Sequence, residues 1–148
     1  MVEAGDEGKI QFRKNVERYL DRGYGSCFLS DEGVANLVQN SLLFHRDKKY
    51  RLSAWVIMPN HLHFLATPLE NVELRQIAHS IKSYTAHEAN KILKRTGPFW
   101  QHEPFDRYIR NRKHFVSVVR YIENNPVKSG LCTLPEYWRF SSAFHEAP

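Results

Sequence analysis

Two histidines one residue apart, His61 and His63, are the first groups in this chain whose spacing suits chemistry. They open a stretch, His61 to Thr67, that predicts a β-strand, and side chains on a strand alternate between its faces. Both imidazoles then share one face, while Leu62 and Phe64 point to the other as packing residues. Two neutral imidazoles held side by side can ligate a divalent cation if at least one further ligand comes from elsewhere. A mixed nitrogen and oxygen set with open positions suits magnesium or manganese, with a phosphate completing the shell. A His-x-His pair is more commonly two surface or hydrogen-bonded histidines, so it needs support from its surroundings. This one follows Met58-Pro59-Asn60, a turn signal, and therefore stands at the mouth of a sheet.

The second constellation is Tyr121 with Asn125. A helix is predicted to start at Asn111, which can cap it, with Phe115, Val118, Val119 and Ile122 as its apolar stripe. At about 100° per residue Tyr121 falls beside that stripe, and Asn125, one turn on, shares its face. Spacing by itself favours a boundary aromatic with its hydroxyl in water and an asparagine that ends the helix. Pro126 disfavours helical geometry at Asn125, so the helix is predicted to stop there. The chemical alternative is specific. A tyrosine phenolate can attack a phosphodiester while a cation between the histidines stabilises the developing charge. Asn125 would offer its amide oxygen as the third ligand. Tyr84 and Tyr108 are alternative nucleophiles on chemistry alone.

These residues sit in a chain of 148 residues, a length that suits one domain. With 42% hydrophobic and 25% charged residues, it reads as an ordinary globular protein. No apolar run reaches the ~20 residues of a membrane span, so no membrane partner is expected. Met1 to Lys9 lacks the basic and apolar segments of a secretory signal. Cys27 and Cys132 are far apart and match no metal pattern, which suits two reduced thiols in a cytoplasmic protein. The net charge of +5 fits a nucleic-acid partner without demanding one. Nine basic residues against four acidic ones fall between Val72 and Lys113. Of these, Lys82, Arg107, Arg110, Arg112 and Lys113 are the candidate phosphate contacts, although a solvated helix face followed by a loop would read the same.

The elements that must position these groups follow from periodicity. Residues 1–8 are expected to be disordered, and 9–148 to form a single domain. Phe12, Val16, Tyr19 and Leu20 recur at helical spacing from Ile10 to Arg22. Ser30 or Asp31 can cap a second helix bearing Val34, Leu37, Val38, Leu42 and Leu43. Tyr50 to Met58 and His61 to Thr67 form a β-hairpin, and Val72 to Leu93 a long helix ended by Thr96-Gly97-Pro98. Phe105 to Arg110 is a short strand, and the tail from Val127 is loop with aromatic anchors. The result is an α+β fold with an antiparallel sheet.

The segment Trp55-Val56-Ile57-Met58-Pro59-Asn60-His61-Leu62-His63 resembles the HUH (His, hydrophobic, His) strand of the REP-associated tyrosine transposases, within the single-tyrosine transposase superfamily. Tyr121-Ile122-Glu123-Asn124-Asn125-Pro126-Val127-Lys128-Ser129-Gly130 is similar to that family's tyrosine helix. Gly97-Pro98-Phe99-Trp100-Gln101 and Phe105-Asp106-Arg107-Tyr108-Ile109-Arg110 resemble its connecting segment, and the likeness runs from about Gly23 to Ala143. The resemblance implies a ferredoxin-like fold and cleavage of single-stranded DNA near REP-type hairpins. It implies a 5′-phosphotyrosine intermediate, rejoining by strand transfer, and magnesium or manganese as cofactor. On that likeness Tyr121 is the nucleophile and His61, His63 and Asn125 hold the metal. It also implies a bacterial, nucleoid-associated protein and a possible homodimer. Members usually begin with a central β-strand, which this chain lacks on the periodicity above. That departure predicts reduced or absent cleavage, and it keeps open a catalytically impaired copy that acts as a DNA-binding module. A metal-dependent hydrolase of another substrate, or a structural dimer, is the remaining alternative.

Overall fold

The computed structural model describes residues 15–21, 27–100 and 105–145, so the expected disorder of residues 1–8 lies outside the described residues. Four strands, β1 (Val16–Asp21), β2 (Tyr50–Met58), β3 (His61–Pro68) and β4 (Phe105–Tyr108), form one sheet in the order β2-β3-β1-β4. All neighbouring strands are antiparallel. Three helices, α1 (Glu32–Phe44), α2 (Leu74–Leu93) and α3 (Arg112–Lys128), complete the α+β architecture.

The sheet separates two cores. Leu62, Phe64 and Ala66 of β3 pack with Val34, Val38 and Leu42 of α1 and Ile81 and Ala89 of α2. On the other face Ala54, Val56 and Met58 of β2 and Leu65 of β3 pack against Val118 and Ile122 of α3. The alternation along β3 therefore assigns His61 and His63 to the face covered by α3. Asp31 caps α1, its side chain accepting from the Val34 N–H at 3.1 Å. Ser30 instead lies in a 3-10 turn, Phe28–Ser30, just before it. Asn111 caps α3 in the same manner, accepting from the His114 N–H at 2.8 Å.

Two expectations fail here. The first strand is present: residues 16–21 form β1, in the middle of the sheet, where a helix from Ile10 to Arg22 was predicted. Its inward positions are not uniformly apolar. Both Glu17 and Arg18 are buried, so the alternation that marks a strand is masked by charge. Each is paired across the sheet, Glu17 opposite Arg107 and Arg18 opposite Asp106, and the Arg18–Asp106 contact is 2.6 Å. Secondly, α3 does not stop at Asn125 but runs through Pro126 to Lys128. Proline in the last turn forfeits one amide bond, and the ring is buried. The end is closed by the Ser129 N–H donating to Asn125 O at 3.0 Å and the Leu131 N–H to Pro126 O at 2.9 Å.

The C-terminal segment covers the edge of β2. The Ile57 N–H donates to Phe140 O at 2.8 Å, and the Ser142 N–H to Trp55 O at 2.9 Å. The tail is otherwise irregular apart from a 3-10 turn at Pro135–Tyr137. Cys27 and Cys132 are both free thiols. No helix among the described residues is long and apolar enough to cross a membrane.

Tyr50 ties the first core together. It is fully buried, stacks on Phe64 with centroids 6.4 Å apart, and donates its hydroxyl to the Leu42 carbonyl in the last turn of α1. Burial pushes its phenol well above the usual range, so it stays protonated and a donor. Tyr50→Phe keeps the ring and orphans a helix-end carbonyl, which should cost about 1–3 kcal/mol. Urea unfolding of the two proteins measures this, and a difference below about 0.5 kcal/mol would show that water replaces the hydroxyl.

Candidate functional site

A cleft of about 570 Å³ opens between the sheet and α3. Its floor is made by β3 and β1. His61 and His63 reach it from β3, and Glu17 reaches it from β1, the neighbouring strand. Its wall is one face of α3, from which Tyr121 and Asn125 project one turn apart. Arg107 of β4 and Arg110 lie at the open side, joined by His114.

The buried centre of this cleft is a three-member chain. The Glu17 carboxylate contacts His63 Nε2 at 2.7 Å through one oxygen, and accepts from Arg107 Nε at 2.9 Å through the other. Burial pushes the Glu17 acid upward, but the hydrogen bonds from His63 and Arg107 and their charges outweigh it and bring its pKa down to about 2. Glu17 is thus a carboxylate at any physiological pH. Because a carboxylate only accepts, the His63 proton in this contact sits on Nε2. The His61 ring lies with Nδ1 2.9 Å from the Asn60 amide oxygen, which by the same logic places its proton on Nδ1. Each imidazole is oriented by a neighbour, as ligating histidines commonly are.

Tyr121 is 51% exposed, so its hydroxyl is open to a ligand. Its ring meets the His63 ring edge-on, with centroids 5.8 Å apart at 70°. The phenol is therefore on the same side of the sheet as both imidazoles. The alternative tyrosines are not: Tyr108 sits opposite Val16 in register, facing the α1 and α2 core side, and Tyr84 is exposed on α2. His114 resists protonation because of partial burial first, then the positive charges of Arg110 and Arg107. Its Nδ1 accepts from the Arg110 N–H at 3.0 Å, which anchors the rim of the cleft.

Residues 30–125 match the model of the family described as Transposase IS200 like. The chain belongs to the IS200-like transposase family. It is 34% identical to the REP-associated tyrosine transposase of Escherichia coli (strain K12), over 68% of this chain and 58% of that protein. An uncharacterized protein of Haemophilus influenzae is 28% identical over 52% of this chain and 54% of its own length. The chain thus spans a little over half the length of these curated relatives. In fold it is similar to a REP-associated tyrosine transposase solved with a REP hairpin bound, with a TM-score of 0.71 and 24% identity over 88% of this chain and 76% of that one. A putative transposase from Deinococcus radiodurans gives a TM-score of 0.52 at 16% identity, over 74% of this chain and 88% of that one.

In this member of the family, His61, His63, Tyr121 and Asn125 line one cleft, with Arg107 and Arg110 beside them. Arg112 and Lys113 are exposed in the first turn of α3. Lys82 lies on α2, across the sheet from the cleft, and does not join the others. Glu17, His114 and Ser117 are the cleft residues that sequence reasoning missed. A signal for Glu17 does exist. The acid–base dipeptide Glu17-Arg18 is complementary, in antiparallel register, to Asp106-Arg107. Glu17 also lies outside the residues matched by the family model.

Proposed function

We propose that this chain cuts and rejoins single-stranded DNA beside hairpins, with Tyr121 as the nucleophile. The observation that carries this is the meeting of the Tyr121 phenol with the His61 and His63 imidazoles in one cleft. Arg107 and Arg110 supply positive charge where a phosphodiester would lie. The Tyr121 oxygen attacks phosphorus, the P–O3′ bond breaks, and the 3′ oxygen leaves and takes up a proton. The phenol's own proton passes to solvent, and the product is a 5′-phosphotyrosine that a 3′-hydroxyl can later reverse. Similarity to the Escherichia coli REP-associated tyrosine transposase supports a REP-type hairpin as the substrate class.

The donor set fits a hard divalent ion. His61, His63 and the Asn125 amide face one space, with no thiol among them. Among the described residues no three His, Cys, Asp or Glu side chains form a ready-made cage, so the amide and a DNA phosphate would have to complete the shell. Magnesium or manganese bound there would polarise the phosphoryl oxygen.

The non-catalytic alternative drew its weight from a missing central strand, and β1 removes that ground. The test is covalent capture. A labelled oligonucleotide carrying a hairpin and a single-stranded flank, incubated with the chain and magnesium or manganese, should transfer label to protein that survives denaturation. Chelation, or His61→Ala with His63→Ala, should reduce capture by at least about a hundredfold. Salt-sensitive binding with no label on the protein in either metal would instead establish the binding-module reading.

A further inference from the structure

Tyr121 is a partition between two hollows. On one side is the histidine cleft. On the other lies a groove of about 470 Å³ whose lining includes Ser117, Arg120, Tyr121, Asn124, Lys128 and Pro135. Ser117 and Tyr121 line both hollows, so the two adjoin at the phenol ring. Lys128 Nζ stands 5.5 Å from the centroid of that ring, in cation–π range. Arg120 is exposed next to Tyr121 in sequence. The acidic member of the groove, Glu123, is half-buried and tied to the Ser142 hydroxyl at 2.7 Å. The groove therefore presents two exposed cations against one anchored carboxylate, beside the flat surfaces of Tyr121 and Pro135.

A strand whose scissile phosphate sits at the Tyr121 hydroxyl must continue in both directions. We propose that the strand on one side of that phosphate lies in the Ser117–Lys128 groove, with Arg120 and Lys128 on its phosphates and a base resting on Tyr121 and Pro135. This rests on the DNA-cleaving role argued above and adds to it a second subsite, outside the histidine cleft, for an unpaired nucleotide. Phosphates attract exposed Lys and Arg through counterion release, and aromatic faces accept any base. The groove is thus a site for single-stranded backbone rather than for a particular sequence. It would hold one end of the cut strand near the nucleophile while the other end is free to exchange.

The experiment compares the chain with Arg120→Gln/Lys128→Gln and with a control of equal charge loss, Lys91→Gln/Lys94→Gln, whose exposed residues lie on and just beyond the end of α2. Binding to the hairpin oligonucleotide, and to versions truncated just 5′ or just 3′ of the scissile phosphate, is followed as salt is raised. The groove variant should lose roughly tenfold in affinity, and its salt slope should fall by about 1.4, two single-strand phosphate contacts' worth. That loss should disappear on one truncated oligonucleotide and persist on the other. Lys128→Arg should keep the wild-type slope. A loss matched by the control pair, or one persisting equally on both truncated strands, overturns the groove. A wild-type chain that captures DNA while the groove variant behaves identically overturns only this subsite. A wild-type chain with no affinity for any of the strands overturns the DNA-cleaving role itself.

Discussion

Tyr121→Phe is expected to abolish covalent capture of DNA, by a factor on the order of ten thousand or more, while DNA binding stays within about twofold. The asymmetry follows from what the hydroxyl does in the folded chain. Among the described residues no hydrogen bond holds it, and the side chain is half exposed. Its loss should therefore change stability by less than about 0.5 kcal/mol. The ring, which meets both His63 and Lys128, is retained. Only the atom that would bond to phosphorus is removed. Fluorescence anisotropy with the hairpin strand gives the binding arm, and denaturing gels give the capture arm. Persistent adduct in the variant would transfer the chemistry to another tyrosine. Tyr108 and Tyr84 are poor heirs, since one faces the opposite side of the sheet and the other stands on α2.

How far such a site can be read from sequence depends on which kind of pattern carries each part. The β2–β3 hairpin was legible because its strands are long, aromatic and β-branched, and are joined by a proline turn. The bounds of β2, Tyr50–Met58, are those that the sequence predicts. Alternation along β3 was enough to set both imidazoles on one face, and helical periodicity was enough to set Tyr121 and Asn125 on another. That the two faces meet is a tertiary fact, confirmed only by the cleft. The strand β1 was illegible for a physical reason. Its buried Glu17 and Arg18 are compensated by partners 90 and 88 residues away, so no local window shows why they can be inside. Charge density along the chain was similarly blind to sides. It grouped Lys82 with Arg107 and Arg110, which the sheet keeps apart. Pro126 misled in the opposite direction: the helix forfeits one amide bond there yet runs on to Lys128, with the proline ring buried.

The strand that was hardest to see carries the residue whose loss should be felt most widely. Glu17→Ala removes the acceptor shared by His63 and Arg107 and leaves a buried imidazole N–H facing no carboxylate. Breaking a buried pair in this way typically costs about 3–5 kcal/mol, enough to endanger folding, so Glu17→Gln is the informative variant. Glutamine keeps the shape and one acceptor oxygen, but it must turn its amide nitrogen toward one of two donors. Two separate readouts should move. Loss of an orienting carboxylate behind a ligating histidine weakens metal binding by about 10–100-fold, which Mn2+ paramagnetic resonance can follow without any DNA present. The second readout is stability against pH. The folded pKa of Glu17, about 2, lies below the ordinary value of 4.5, so the unfolded chain takes up the proton first as pH falls. The carboxylate's contribution is then complete above about 4.5 and is lost progressively toward 2. Wild type should exceed Glu17→Gln above pH 4.5, and the margin should shrink as pH drops below it. A margin that is flat down to pH 3, together with unaltered Mn2+ affinity, would mean that the carboxylate neither stabilises β1 against β4 nor orients His63. The strand would then be scaffold, and His63 would owe its geometry to β3 and its contact with Tyr121.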